Sequence, residues 1–308
     1  MNVSAAPKKL VVINDVAGFG RCAATIVLPV VSVLGVQACL VPTAVFSNHT
    51  GYPTWHFDDY TQRMPLYLDA WKRLSLTFDG IYAGFLGSDS QADIIEEFLS
   101  EHPESLVLVD PVMGDHGRTY STVTQRHCER IRDLVKKADM ITPNVTEACL
   151  LTDTAYKESG WSLSELHDLA GKLQKLGPKK AVITGIAGDN CLINYYYETA
   201  SSDAAGIRTG ICESPFAGPN HHGTGDIFAS VLAADALNGV PFSASVQKAS
   251  DFVRMCIAGT CALGLPEEEG VCFENYLGEL IRLGHNNGGN NIGQQTCAKA
   301  CNTEYNPD

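Results

Sequence analysis

The sequence predicts an α/β protein whose mainly parallel sheet is covered by helices on both faces. Three observations carry that prediction. Short apolar runs alternate with longer stretches of helical periodicity along most of the 308 residues. The apolar runs end in polar or glycine-containing loops. No linker rich in Pro, Gly or Ser interrupts the alternation before about residue 284, so residues 1–283 are expected to form a single domain.

Leu10-Val11-Val12-Ile13 reads as the first strand, followed by a loop and a helix over residues 23–34. Residues 38–41 form a second strand. A helix is expected over 58–74, because Tyr60, Met64, Leu68 and Trp71 fall on one face. Strands at 81–83 and 106–109 bracket an acidic helix at 89–99. Strands at 140–142 and 181–184 continue the series, with a hairpin through 191–197, and helices at 163–176, 226–237 and 242–263 complete it. Residues 284–308, rich in Asn and Gly with few apolar side chains, cannot bury enough surface to offset ordering entropy and are expected to be a mobile tail.

The net charge of −13, with no Lys/Arg cluster, argues against nucleic acid or an anionic membrane as partner. No stretch reaches the roughly 20 apolar residues of a membrane span. The first nine residues lack the apolar centre of a signal peptide. Eleven scattered cysteines, with no Cys-x-x-Cys pair, read as free thiols of a reducing cytoplasm. A structural zinc site is not expected.

In open parallel sheets, ligands sit beyond the carboxyl ends of the strands. Asn14-Asp15, Gly84-Phe85, Asp110 to Asp115, Thr142-Pro143-Asn144 with Glu147, and Thr184-Gly185 follow predicted strands, and Asn48-His49-Thr50-Gly51-Tyr52 ends the apolar run Ala44-Val45-Phe46. Gly223-Thr224-Gly225-Asp226 then opens a helix. Such a turn has two physical readings. Its unpaired N–H groups and the helix dipole suit an anion, with Asp226 free to act as a base. Equally, Asp226 could be an ordinary helix cap. The acids Asp110, Asp115 and Glu147 could hold Mg²⁺, which takes one or two carboxylates plus phosphate oxygens, or could be turn and first-turn residues. His49 could stack on or hydrogen-bond a polar ring, or simply be solvated. His221 and His222 flank the turn, but adjacent histidines point apart on most backbones.

Taken together, these segments resemble the pyridoxal kinase branch of the ribokinase-like superfamily. The resemblance rests on Phe46-Ser47-Asn48-His49-Thr50-Gly51-Tyr52, Asp110-Pro111-Val112-Met113-Gly114-Asp115, Thr142-Pro143-Asn144-Val145-Thr146-Glu147 and Gly223-Thr224-Gly225-Asp226, in that order, and covers residues 9–283. It implies a three-layer α/β/α sandwich of ribokinase-like fold and ATP-dependent phosphorylation of a vitamin B6 hydroxymethyl group. It further implies that Asp226 is the base and that Gly223, Thr224 and Gly225 form the anion hole. Asp15, Ser47, His49, Thr50 and Phe85 would line the ring site. Asp110 and Glu147 would serve Mg²⁺ and its waters. Asp115, Asn144, Thr184 and Gly185, with Gly223 and Gly225, would contact ATP or a monovalent cation such as K⁺. Homodimerisation and a flap over residues 116–121 are implied as well.

Two departures bear on the substrate. Asp15 stands where pyridoxal kinases usually carry serine, in a loop about three residues shorter, and resembles the related hydroxymethylpyrimidine kinases. Phe85 stands where many pyridoxal kinases have tyrosine, which removes a hydroxyl from the ring pocket. Hydroxymethylpyrimidine is therefore the alternative acceptor, and a non-catalytic B6-binding protein is the alternative of another class.

Overall fold

Leu10, Val11, Val12 and Ile13 are all fully buried, although successive residues of a strand face opposite sides of its sheet. Both faces of the first strand are therefore covered. A computed structural model, which describes residues 6–199, 206–219 and 221–285, shows how.

One nine-stranded sheet runs through the molecule in the order β11-β10-β9-β8-β5-β4-β1-β2-β3. Its strands are β1 (Lys9–Ala17), β2 (Gln37–Phe46), β3 (Phe57–Asp59), β4 (Gly80–Ala83), β5 (Leu106–Val109), β8 (Met140–Ile141), β9 (Lys180–Ala187), β10 (Cys191–Thr199) and β11 (Ile207–Pro215). The contiguous set β2, β1, β4, β5, β8 and β9 is parallel. Antiparallel strands close both edges, β3 beside β2, and β10 with β11 beside β9. A separate two-stranded hairpin pairs β6 (Gly114–Asp115) with β7 (Arg118–Thr119) through His116 and Gly117. Both turn residues have positive φ, 49° and 73°, as a tight hairpin turn demands.

Side-chain alternation sorts the helices into two layers. Val11, Ile13, Ile81, Val107, Ile141 and Ile183 pack with residues of α2 (Met64–Arg73), α3 (Gln91–Glu101), α4 (Gln125–Val135), α5 (Val145–Thr152) and α6 (Leu163–Lys175). Leu10, Val12, Tyr82, Leu108, Met140 and Val182 face the other way, against α1 (Ala24–Val33), α7 (Thr224–Leu237), α8 (Phe242–Leu263) and α9 (Leu277–His285). The expected three-layer α/β/α arrangement is the one observed.

Several boundaries differ from expectation. The helix expected over 58–74 begins only at Met64, because Phe57–Asp59 pairs with β2 and Asp59 Oδ1 accepts the Thr61 N–H at 2.8 Å, which turns the chain before Pro65. Helices α4, α5 and α9 and strand β11 carried no sequence assignment. Helix α9 reaches His285, past the domain end expected at 283. Residues 286–308, most of the expected tail, lie outside the described residues. Among the described residues, no helix is long and apolar enough to cross a membrane.

Candidate active site

The parallel strands share one carboxyl edge, and two helices start together above it. Gly223 is the residue before α7, with φ 87° and no side chain to cap the helix. A Cβ there would lie 2.5 Å from the Arg21 carbonyl oxygen and would press on Ile26 Cδ1, so only glycine fits. Thr224 Oγ1 donates back to the His221 carbonyl at 3.2 Å. Gly225 is exposed, with open space where a side chain would stand. The first-turn N–H groups of α7 thus face a gap that could hold an anion.

Asp226 lies in the first turn of α7 and does not cap its own helix. Its Oδ2 instead accepts the backbone N–H of Ala23, at the head of α1, at 2.8 Å. Burial raises its carboxyl to about 6, against the lowering effect of the Ala23 N–H and the Asn14 side chain. Asp15, 7% exposed, sits where the pairing of β1 with β2 shifts register between Asn14 and Val16. Burial and then the Asp226 charge push Asp15 up to about 7. The same two causes, in the same order, bring Asp110 to about 7, although Thr142 Oγ1 donates to its Oδ1 at 2.9 Å. Cys22, on the loop between β1 and α1, is held as a thiol by burial and by the charges of Asp226 and Asp15. Three of the expected acids thus share one electrostatic environment.

A second group forms around the head of α5. Asn144 precedes the helix and Glu147 follows it by three residues, in a reciprocal cap: Glu147 N–H donates to Asn144 Oδ1 at 3.0 Å and Asn144 N–H to Glu147 Oε2 at 2.9 Å. The Met113 N–H donates to Glu147 Oε1 at 3.1 Å, and Asn144 Nδ2 to the Gly114 carbonyl at 2.8 Å. Glu147 is therefore buried, not exposed as a plain first-turn glutamate would be, and burial followed by the Asp110 charge raises its carboxyl well above the usual range. Asn144 bridges to Thr184 at the end of the short β8–β9 pairing. Gly185, with φ 70°, is exposed and donates its N–H to Asn194 Oδ1 at 3.2 Å. Asp115 lies in β6 and accepts the His116 N–H at 2.7 Å, while Gly117 N–H is tied to Thr146 Oγ1 at 2.9 Å. The hairpin expected as a flap is thereby anchored to α5.

The third group is the loop after β2. Ser47 Oγ accepts the His56 N–H at 2.8 Å and donates to Asn48 Oδ1 at 2.7 Å, so this hydroxyl serves the loop itself. His49 is buried; its Nδ1 accepts the Gly51 N–H at 3.1 Å, which leaves Nε2 to donate to the Glu268 carbonyl at 2.6 Å. With both nitrogens engaged, His49 offers a ring face rather than a hydrogen bond. Thr50 is exposed. Phe85, partly buried, packs on Phe46 with ring centroids 5.8 Å apart, and Trp55 and Phe57 pack on the same Phe46 ring. His221 and His222 diverge as expected: His221 is buried with Nε2 3.9 Å from Cys261 Sγ, and the His222 ring lies 4.2 Å from that of His49.

Sequence reasoning missed two contributors and one contact. Ala23 has φ 51° and acts through its backbone N–H, so its side chain gives no signal. The chain at Glu268 meets His49 only through the fold. Asn14 was visible as a polar strand-end residue, but its bond to the Phe85 N–H at 3.0 Å was not.

The sequence profile of the phosphomethylpyrimidine kinase family matches residues 28–270. The pyridoxine/pyridoxal/pyridoxamine kinase of Bordetella avium is 29% identical over 261 residues, 79% of this chain and 82% of that protein. The hydroxymethylpyrimidine/phosphomethylpyrimidine kinase of Haemophilus influenzae is 30% identical over 182 residues, 59% of this chain and 65% of its own length. A Bacteroides thetaiotaomicron protein crystallised with pyridoxal superposes with a TM-score of 0.84 at 34% identity, covering 89% of this chain and 96% of that one. The profile spans most of the chain, and the chain belongs to the phosphomethylpyrimidine kinase family.

Proposed function

We propose that the protein is a pyridoxal kinase, transferring the γ-phosphoryl group of ATP to the 5′-hydroxymethyl group of pyridoxal, pyridoxine or pyridoxamine. The observation that carries this reading is the Asp226 carboxyl held at the common start of α1 and α7, beside uncapped N–H groups, with Asn14 reaching both that carboxyl and the backbone of Phe85. The acceptor oxygen forms its bond to phosphorus as the bond to ADP breaks, and the hydroxyl proton passes to Asp226. Phosphoryl transfer asks mainly for positioning and charge stabilisation, so a plain aspartate and a backbone anion hole suffice.

Asp110 and Glu147 suit Mg²⁺: both carboxyls are raised by burial, Glu147 further by the Asp110 charge and Asp110 by that of Asp226, so a cation would stabilise them, and Mg²⁺ completes its shell with phosphate oxygens and water. Both Glu147 oxygens already accept backbone N–H groups, which fits contact through a metal-bound water. A Mg²⁺ ion held there would neutralise charge on the ATP phosphates. Asp115, Asn144, Thr184 and Gly185 would contact the nucleotide phosphates or a K⁺ ion. We further read the enzyme as a cytoplasmic homodimer.

Hydroxymethylpyrimidine is the second acceptor to test, because Asp15 replaces the usual serine and the family profile points the same way. Pyridoxal, pyridoxine, pyridoxamine and hydroxymethylpyrimidine, each supplied with ATP and Mg²⁺, separate the readings. ADP release with the B6 compounds is the expected result; turnover of the pyrimidine alone would reassign the substrate. Binding of a vitamer with no ADP release would make this a carrier rather than an enzyme.

A further inference from the structure

Asn14 is 1% exposed near the carboxyl end of β1. Its Oδ1 accepts two backbone N–H groups, from Asp15 at 3.0 Å and from Phe85 at 3.0 Å. Those bonds fix the plane of the amide and so the direction of Nδ2. Nδ2 is buried and completes no hydrogen bond among the described residues. The side chain lies against the Asp226 carboxyl, whose charged form it favours. Room for the amide is kept by Gly84, where a Cβ would fall 2.8 Å from Asn14 Oδ1.

One amide therefore touches both halves of the proposed reaction: the strand-end loop that carries Phe85 and the carboxyl that takes the proton. Ala23 holds Asp226 from the α1 side, and Asn14 stands on the β1 side. A carboxylate with a single anchor can still rotate about its terminal bond; a second donor removes that freedom. An unfilled buried donor beside a carboxylate is also the arrangement that tightens when substrate closes the site.

We propose that Asn14 is a positioning residue for the base: its Nδ2 orients the Asp226 carboxylate toward the acceptor hydroxyl while its Oδ1 clamps the backbone of the ring pocket at Phe85. This rests on Asp226 being the base.

Asn14→Asp, which keeps the Oδ1 acceptor and shape but turns the Nδ2 donor into an acceptor, tests it, and Asn14→Ala, which adds no charge beside Asp226, is measured in parallel and must show the same loss. At pH 8.5, where Asp226 is ionised, kcat with pyridoxal is expected to fall about 10²-fold, the scale of a misplaced catalytic group. KM for pyridoxal and for ATP should stay within about threefold, because a lost orientation acts on turnover rather than binding. In an Asp226→Asn background, Asn14→Asp should cost nothing further, because residues acting through one another are not additive. Unchanged kcat, a rise confined to the pyridoxal KM, or full additivity with Asp226→Asn would each overturn the proposal. Normal turnover by Asp226→Asn alone would instead remove the base assignment, a distinguishable failure. Should Asn14→Asp not fold, Asn14→Ala decides by the same measurements, and failure of both to fold would make Asn14 purely structural and overturn the proposal.

Discussion

The backbone N–H of Ala23 donates to Oδ2 of Asp226 at 2.8 Å, joining positions 203 residues apart in sequence. The bond ties the starts of α1 and α7 to one point and fixes the direction of the carboxyl. Ala23 holds φ 51°, a conformation that L-residues adopt at a cost, to aim that N–H.

The two glycines of the α7 turn should respond oppositely to alanine. Gly223→Ala places a methyl group 2.5 Å from the Arg21 carbonyl at φ 87° and should destabilise the fold by about 2–4 kcal/mol, read as a lower urea midpoint. Gly225→Ala meets nothing within 4 Å and sits in a helix, so stability should hold or rise slightly while turnover collapses, because the methyl fills the anion gap. Equal activity in Gly225→Ala and the parent would place the phosphoryl group elsewhere.

The Asp226 carboxyl, raised from 3.8 to about 6, must be ionised to take a proton. Turnover should therefore be flat near pH 8 and fall about tenfold per unit below pH 6. A profile that stays flat to pH 4.5 would contradict that environment for Asp226.

The same kind of shift has a stability counterpart at Asp15. Its folded value of about 7 lies above the unfolded 3.8, so folding favours the protonated form. The stability this group contributes is present below pH 3.8 and is lost as pH rises toward 7. Asp15→Asn should accordingly melt higher than the parent at pH 8 and converge with it at pH 4. Parallel melting curves at both pH values would show that Asp15 is not desolvated.

Lys248, on α8, and Asp235, on α7, form a buried pair at 2.8 Å, with Ser245 Oγ also donating to Asp235 at 3.0 Å. Lys248→Met leaves the carboxylate unpaired in the interior and should cost about 3–5 kcal/mol in urea unfolding. The double replacement Lys248→Met with Asp235→Leu should recover most of that loss, since an apolar pair of similar volume replaces a desolvated ion pair.

Much of this was legible in the sequence because it depends on local chemistry. The Gly223 to Asp226 turn announces itself through residues that only special backbone positions need, and the acids at 15, 110 and 147 stand where apolar runs stop. What escaped depends on the fold. Helix α4 is an exception, since Cys128, Ile131, Leu134 and Val135 recur at helical spacing in an otherwise polar stretch and its buried face is readable from the sequence. Helix α5 is short and buried around Glu147, so it shows no amphipathic period. The Asx turn at Asp59 ends β3 where a helical stripe of Tyr60, Met64 and Leu68 otherwise reads through. The engagement of both His49 nitrogens needed Glu268 from 219 residues away.

The most direct test of phosphoryl transfer through Asp226 is Asp226→Ala, assayed for ADP release with pyridoxal and for ATP binding by calorimetry. The account expects turnover about 10²–10⁴-fold lower with ATP affinity preserved, because a base acts on the acceptor proton and not on the nucleotide. Turnover within a few-fold of the parent would contradict it.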